Sequence, residues 1–145
     1  MTEAQGPSPV VWDTKIAVVL RDDLKDWQKL NVTAFTTSGI AATVGGVTGE
    51  PYEDASGVRY LPMFVQPVLV FVADHETVAK VHERALRREV TCSVYTEDLF
   101  VTNNDVDNRA AVRRVETDKL AIVGLAFRAD RKSVDKIVKG ASLHP

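Results

Sequence analysis

The run Lys15–Leu20 constrains the fold most, because its residues after Lys15 are all apolar and do not alternate with polar ones. A strand with one face in water alternates, so an unbroken apolar run predicts a strand that is covered on both faces. Val68–Ala73 and Leu120–Phe127 have the same character. The chain is therefore expected to form a sheet with helices packed on both sides.

A first helix is predicted from about Trp27 to Val44, ended by Gly45-Gly46, which supply a stop signal. Its apolar and small residues recur at the helical period. Small residues on one side allow a helix to lie close to a sheet. The side expected to face the sheet consists of Trp27, Leu30, Ala34, Ser38, Ala41 and Ala42.

Two further helices follow aspartates, whose side chains can accept hydrogen bonds from the unpaired N–H groups of a first helical turn. Asp74 is expected to cap a helix over His75–Glu89, and Asp130 a helix over Arg131–Lys139. A shorter helix is expected within 108–115. The residues expected to face inward in the two capped helices are Val78, Val81, Ala85 and Leu86, and then Val134, Ile137 and Val138.

The order of elements predicts the topology. A strand, a helix and the strand Val90–Tyr95 form a βαβ unit, so its two strands are expected to be parallel with a right-handed crossover. Val58–Leu61 is expected to pair as a short edge strand. The prediction is a single three-layer α/β/α domain over residues 13–145 with a mixed, four-stranded sheet. Residues 1–12 are expected to form a flexible tail.

Composition narrows the class of protein. A net charge of −2 argues against a dedicated nucleic-acid binder, which usually carries a basic surface. The longest apolar runs, about eight residues, fall short of the roughly 18 that a membrane helix needs. Met1–Pro9 lacks the basic start and apolar core of a targeting peptide. With Cys92 as the single cysteine, these features favour a cytoplasmic protein that has no membrane part.

No metal site or cofactor is expected. Gly45–Gly49 follows a helix, whereas a phosphate-binding loop precedes one. His75 and His82 are seven residues apart on one helix, and the sequence places no third ligand beside them. Cys92 lies in an apolar strand, where cysteine usually acts as a small buried side chain rather than a nucleophile.

Two polar turns follow predicted strands. One is Arg21–Lys25, which includes Asp23, and the other is Thr96–Asp98, which includes Glu97. Ligands of open α/β sheets bind beyond the carboxyl ends of the strands. If the two strands are parallel neighbours, the turns converge and form one rim that can orient a water or bind a polar ligand. The alternative is that these residues are helix caps and solvated loop charges.

The turn Arg21–Lys25, followed by Lys29 and a helix of small residues, resembles the opening of type II peptidyl-tRNA hydrolases. Residues 65–98 and 119–140 are similar to that family's strand–helix–strand and to its closing strand and helix. The chain is more similar still to an uncharacterised prokaryotic group, the domain-of-unknown-function 2000 family. The resemblance implies the hydrolase fold and, for the closer group, no settled activity.

The resemblance also implies site residues. The family's catalytic lysine most resembles Lys29, while Lys25 matches its Asp-Leu-Lys turn. Asp98 and Thr102 stand at the spacing of its Asp-Ala-Gly-x-Thr turn. Its histidine falls at Thr37, and its glutamine falls at an alanine. Loss of the imidazole and the amide argues against cleavage of peptidyl-tRNA itself.

Two hypotheses for function follow. The first is a hydrolase-like enzyme in which Lys25 or Lys29, together with Asp98, positions water near Thr102. The second is a non-catalytic binding module whose rim, with Asp23, Thr37 and Glu97 as ligand-binding residues, recognises a small molecule or a protein partner. A homodimer through the acidic loop 45–62 and the adjoining Met63–Val65 is a candidate assembly.

Overall fold

The computed structural model describes residues 10–145 and places β1, Thr14–Arg21, at the centre of a five-stranded mixed sheet. β1 is parallel to β4, Val68–Ala73, and antiparallel to β6, Ile122–Asp130. At the two edges, β5, Ser93–Thr96, is antiparallel to β6, and β7, Ser142–Leu143, is antiparallel to β4. The sheet is mixed as predicted. It has five strands rather than four because residues 142–143 return to pair with β4.

Helices pack on both faces of this sheet. The described residues form four α-helices, which are α1, Asp26–Thr43; α2, His75–Arg87; α3, Asp105–Arg113; and α4, Arg131–Ile137. Alternate residues of β1 show the layering. Ile16, Val18 and Leu20 pack with α1, whereas Ala17 and Val19 pack with α2 and α4. The central strand is therefore buried from both sides, as its unbroken apolar run predicts.

α1 contacts the sheet through a different side from the predicted one. Its buried residues are Val32, Thr36 and Ile40. All six residues of the predicted inner side, including the aromatic Trp27, are exposed, so that prediction is wrong. Apolar and small residues occur all around α1, so the helical period does not single out one face.

The close approach of α1 to the sheet depends on two glycines. A Cβ atom on Gly124 of β6 would lie 2.4 Å from Cγ1 of Val32. A Cβ atom on Gly39 of α1 would lie 2.4 Å from the Ser93 hydroxyl of β5. Such distances are too short for real side chains, so the absence of a side chain at these positions sets how near the helix can lie.

α2 and α4 follow the sequence prediction closely. The Asp74 carboxylate accepts a hydrogen bond of 2.8 Å from the Thr77 N–H, and Asp130 accepts one of 3.0 Å from the Ser133 N–H. Both helices end two residues earlier than predicted. The predicted inner residues are buried except for Leu86, which is about half exposed, so that assignment is wrong.

The βαβ unit differs from the prediction in one respect. β4 and β5 run in the same direction, as expected, but β1 and β6 lie between them. The fully buried run Ile122–Phe127 of β6 is suited to the covered centre of the sheet. β5 is shorter, and Ser93 and Val94 are partly exposed, which suits an edge. β5 also begins three residues later than predicted.

Residues 52–60 form a separate small hairpin of β2, Tyr52–Glu53, and β3, Arg59–Tyr60. The short edge strand expected within Val58–Leu61 is present as β3, but it pairs with β2 and is not part of the main sheet. Met63 and Val65 beside the hairpin are exposed. The homodimer through this surface stays a prediction, which light scattering at high protein concentration tests.

α3 begins at Asp105, three residues before the predicted start, because Asn104 caps it by accepting a hydrogen bond from the Asp107 N–H.

Most of the predicted tail, residues 1–9, lies outside the described residues. The Trp12 carbonyl accepts a hydrogen bond of 3.1 Å from Arg131. Among residues 10–145, no helix combines the length and apolar character needed to cross a membrane.

Candidate functional site

The two polar turns meet, although their strands are not the neighbours that the prediction of a common rim assumes. Arg21, the last residue of β1, donates to Asp23 at 2.6 Å and to Glu97 at 2.7 Å. Glu97 itself is tied to the segment before β6 through a backbone hydrogen bond to the Ala121 carbonyl. The hydrogen bond from Arg21 lowers the pKa of Asp23 below its ordinary value. Asp23 and Glu97 are thus already ion-paired.

The two lysines occupy different environments at the start of α1. Lys25 is the N-cap residue, and its backbone N–H donates to the Gln28 side chain at 2.9 Å. The Lys25 side chain is exposed. The Lys29 ammonium lies 3.3 Å from the His144 imidazole, which follows the edge strand β7. Lys29 therefore reaches towards the β7 edge of the sheet.

Thr102 lies beyond the opposite edge strand, β5. Its hydroxyl is 3.2 Å from the Leu99 carbonyl oxygen and is also hydrogen-bonded to the Asn108 side chain. Asp98 is exposed on the turn after β5, and Thr37 donates back to the Thr33 carbonyl of α1 at 2.8 Å. Within residues 10–145, no ion pair joins Lys25 or Lys29 to Asp98.

A second, larger feature adjoins the rim. We call it the α1–α3 groove, because it lies between α1 and α3 with the edge strand β5 at its base. It consists of two adjoining cavities of about 570 and 590 Å³. The residues common to both cavities are Phe35, Ser38, Tyr95, Leu99, Asp105 and Asn108.

Aromatic rings form one wall of the groove. The Tyr95 ring meets Phe35 edge-on, with ring centroids 5.8 Å apart, and lies 5.0 Å from Phe100. Phe100 in turn meets Trp27 of the first turn of α1 at 5.9 Å. Tyr95 is buried, whereas Trp27 and Phe35 are about half exposed. The wall therefore has a fixed inner ring and two outer rings that present surface to solvent.

Polar groups converge beside these rings. The Tyr95 hydroxyl donates to the Leu99 carbonyl at 3.3 Å and accepts from the Asn31 amide at 3.4 Å. Burial raises the pKa of Tyr95, and the hydrogen bond from Asn31 opposes this in part. Tyr95 therefore stays protonated near neutral pH and serves as a hydrogen-bonding group rather than as a base.

The sequence prediction included one residue that lines this groove, Thr102, but not the residues at its centre. Tyr95 stands directly before the polar turn at Thr96–Asp98, and this position at a strand end is the signal that could have identified it. Asn31 lies in the middle of α1, and Asn108 lies on a helix whose start was predicted too late. Their convergence depends on how α3 packs, which local patterns do not reveal.

Cys92 and Asp105 are both held in environments that reduce their reactivity. Burial raises the pKa of the Cys92 thiol to about 12, so it stays protonated and inert. Asp105, at the mouth of the groove, is paired with Arg109 at 2.8 Å. Within residues 10–145, no three His, Cys, Asp or Glu side chains lie close enough together to hold a metal ion.

Residues 14–145 match the sequence model of a family described as "Protein of unknown function (DUF2000)". The chain belongs to the DUF2000 family. A solved structure, described as a protein of unknown function from Agrobacterium tumefaciens strain C58, is 52% identical to it, with a TM-score of 0.90. The similarity covers 93% of this chain and 100% of that one. A comparison with curated proteins finds no match.

The predicted membership of this DUF2000 family is confirmed. The likeness to type II peptidyl-tRNA hydrolases stays a prediction, as do the catalytic roles of Lys25, Lys29, Asp98 and Thr102. The description of the Agrobacterium protein states no ligand or reaction. For this DUF2000 protein, a function must therefore be argued from the chemistry of the rim and of the α1–α3 groove.

Proposed function

We propose that this DUF2000 protein is a non-catalytic binding module whose α1–α3 groove takes a small planar molecule that carries hydrogen-bonding groups. The observation that supports this most is the environment of Tyr95. Its ring forms part of the aromatic wall, while its hydroxyl is fixed between Asn31 and Leu99. Ligand pockets commonly combine an apolar surface with a few convergent polar groups in this way.

Size and hydrogen-bonding capacity agree with a small ligand. Each cavity of the groove falls within the roughly 300–1,000 Å³ that such sites occupy. Among the described residues, the Asn31 carbonyl oxygen and the Asn108 amino group have no hydrogen-bond partner. The groove thus offers an acceptor and a donor beside the exposed rings of Trp27 and Phe35, on which a planar molecule can stack.

The groups within the groove favour binding over catalysis. General acid–base chemistry needs a side chain that exchanges a proton near the working pH. Burial moves the pKa of Tyr95 away from neutrality, and Asp105 is engaged by Arg109. The remaining polar groups that line it, apart from Arg113 at one end, are amides and hydroxyls, which suit recognition.

The test is a screen of the full chain against nucleosides and small aromatic amides, followed by NMR titration of each hit. Hits are expected to shift the amide signals of Asn31, Tyr95 and Asn108. Tyr95→Phe removes only a hydroxyl and should weaken binding up to about tenfold. Thr43→Ala is the matched control, because that hydroxyl bonds within α1 and lies outside the groove. Equal affinities in both variants, or turnover of a hit, contradict the proposal.

A second candidate is a hydrolase-like enzyme acting at the rim. It is favoured by the contact of Trp27 with Phe100 and by the Arg21–Glu97 pair, which bring the start of α1 against the turn that carries Asp98. Peptidyl-tRNA and small ester and amide substrates are the probes, and we expect no cleavage of peptidyl-tRNA. If the alanine variants of Lys25, Lys29 and Asp98 all retain any activity found, this candidate is abandoned.

A further inference from the structure

A separate cavity lies on the other side of the sheet from the α1–α3 groove. We call it the α2 cavity, because it lies between α2 and residues 117–122, and its volume is about 320 Å³. Its lining combines polar side chains with an apolar surface formed by Ala79, Leu86, Leu120 and Ile122. A cavity of this size and lining suits a small molecule with an apolar body. Neither the proposed function nor the rim uses these residues.

His82 is the most deeply buried polar residue that lines this cavity. Only 9% of His82 is exposed, and its imidazole forms no hydrogen bond to another described residue. Neither imidazole nitrogen is a fully buried unpaired atom, so the ring edge that faces the cavity is open to a water or to the polar group of a ligand. Thr96 is close by in register, since its Cα partner is Ile122, and its buried hydroxyl also lacks a partner among the described residues.

The mouth of the α2 cavity carries one carboxylate that is not neutralised. Glu83 is paired with Arg87 at 2.6 Å, and Glu76 lies 3.9 Å from Lys80. Asp118 forms no ion pair within residues 10–145. An uncompensated carboxylate at the mouth favours a ligand whose outer end is positively charged.

We propose that the α2 cavity binds a small aromatic alcohol that carries a cationic group. Its hydroxyl bonds to His82, its ring lies between Leu86 and Ile122, and its cation pairs with Asp118 at the mouth. Burial lowers the pKa of His82, so its imidazole is neutral near pH 7 and has one donor and one acceptor nitrogen. A ligand hydroxyl can donate and accept hydrogen bonds, so it can pair with either nitrogen of that imidazole. Because the imidazole is neutral, it does not repel the cation of the ligand.

The experiment titrates the full chain with three related probes and follows the methyl signals of Leu86, Leu120 and Ile122 by NMR. Tyramine has both proposed groups, phenethylamine lacks the hydroxyl, and 4-hydroxyphenylacetate reverses the charge. Tyramine is expected to bind most tightly. Each of the other two should bind about three- to tenfold more weakly, which is the usual range for one hydrogen bond or one exposed ion pair.

Two variants locate the interactions. Asp118→Asn should weaken tyramine binding about threefold and leave unchanged the binding of 4-ethylphenol, which has the ring hydroxyl but no cation. The matched control, Glu116→Gln, removes a nearby carboxylate that pairs with Lys119 and lies outside the cavity, so it should have no effect. His82→Phe should remove the advantage of tyramine over phenethylamine.

If His82→Phe does not fold, the affinities of the three probes for the wild-type protein test the proposal instead. Equal affinity for all three probes, or an absence of shifts in the three methyl signals at millimolar tyramine, overturns the proposal. Equal effects of Asp118→Asn and Glu116→Gln overturn the placement of the cation. None of these outcomes bears on the α1–α3 groove, because that groove lies on the other face of the sheet.

Discussion

α1 and α2 pack on opposite faces of the same sheet but are held there by different means. α2 presents a continuous apolar stripe that includes Val78, Val81 and Ala85, and Asp74 caps its first turn. α1 buries only a few residues, has Lys25 as an N-cap without a side-chain bond to the helix, and approaches the sheet over a glycine of β6. The position of α2 is encoded in its own sequence, whereas that of α1 depends on the shape of its partner.

The largest expected effect is on the α2 face. Phe127 of β6 is fully buried there, and Phe127→Ala should lower the free energy of unfolding by about 3–5 kcal/mol. Val32→Ala on the α1 face removes a smaller side chain and should cost about 1–3 kcal/mol. Urea denaturation measures both. Similar losses for the two variants would mean that the faces contribute equally.

The next effect tests the glycine contact of α1. Gly124→Ala places a Cβ against Val32, with the Val19 carbonyl oxygen 3.4 Å away, and should destabilise the protein by about 1–3 kcal/mol. Adding Val32→Ala should recover part of this loss, because the two side chains compete for one space. Gly45→Ala is the control, since no atom lies within 4 Å of its added Cβ. Strict additivity of the two changes would argue against the close-contact explanation.

A smaller effect distinguishes the helix caps. Asp74→Ala should lower the Tm by about 3 °C, because the cap of α2 is lost, whereas Lys25→Ala should change it by less than about 1 °C. The hydrogen bonds from Thr77 lower the pKa of Asp74 in the folded protein. Its stabilisation is therefore present above the unfolded pKa, near 4, and is lost as the pH falls through the folded pKa.

Thermal unfolding of the wild type and of Asp74→Ala at several pH values checks this. The difference in Tm between them should be constant near neutrality and should shrink below about pH 4. A difference that persists unchanged at the lowest pH would show that the carboxylate charge has no part in capping α2.

The smallest effect is expected on the outer side of α1. Leu30 is 74% exposed, so Leu30→Gln should alter the free energy of unfolding by no more than about 0.5 kcal/mol. Val81→Gln, at a fully buried position of α2, is the contrasting variant and should be strongly destabilising. A large loss for Leu30→Gln that grows with protein concentration would instead indicate that this side of α1 is covered by self-association.

Local patterns predicted the parts of the fold that are locally determined. β4 was predicted with its observed bounds, and the caps of α2 and α4 were predicted correctly, since an apolar run or a cap is set by adjacent residues. The buried side of α1 was not predicted, because the deciding residue is Gly124, far away in the sequence. The position of β6 between β5 and β1 is likewise determined by contacts between residues far apart in the sequence.

The same distinction applies to the candidate sites. The two polar turns were expected to converge if their strands were neighbours. They meet through Arg21 and Glu97 although β6 lies between those strands, because turns after strands of one direction gather at one end of a sheet. Tyr95 was missed because an apolar strand also accommodates tyrosine as a core residue, and only its place directly before the polar turn distinguishes it in the sequence. His82 was considered only as a metal ligand, and its burial became apparent only once α2 was seen against residues 117–122.

The pairing of β7 with β4 has a consequence for solubility. Val68–Ala73 is a six-residue run of high β-propensity without charge, the kind of segment that seeds amyloid-like pairing when its backbone is open. β7 and the His144 N–H, which bonds to the Val70 carbonyl at 2.8 Å, occupy that backbone along part of its length. We expect residues 142–144 to limit pairing of β4 with other chains, so a change that displaces them should leave more of that backbone open to aggregation.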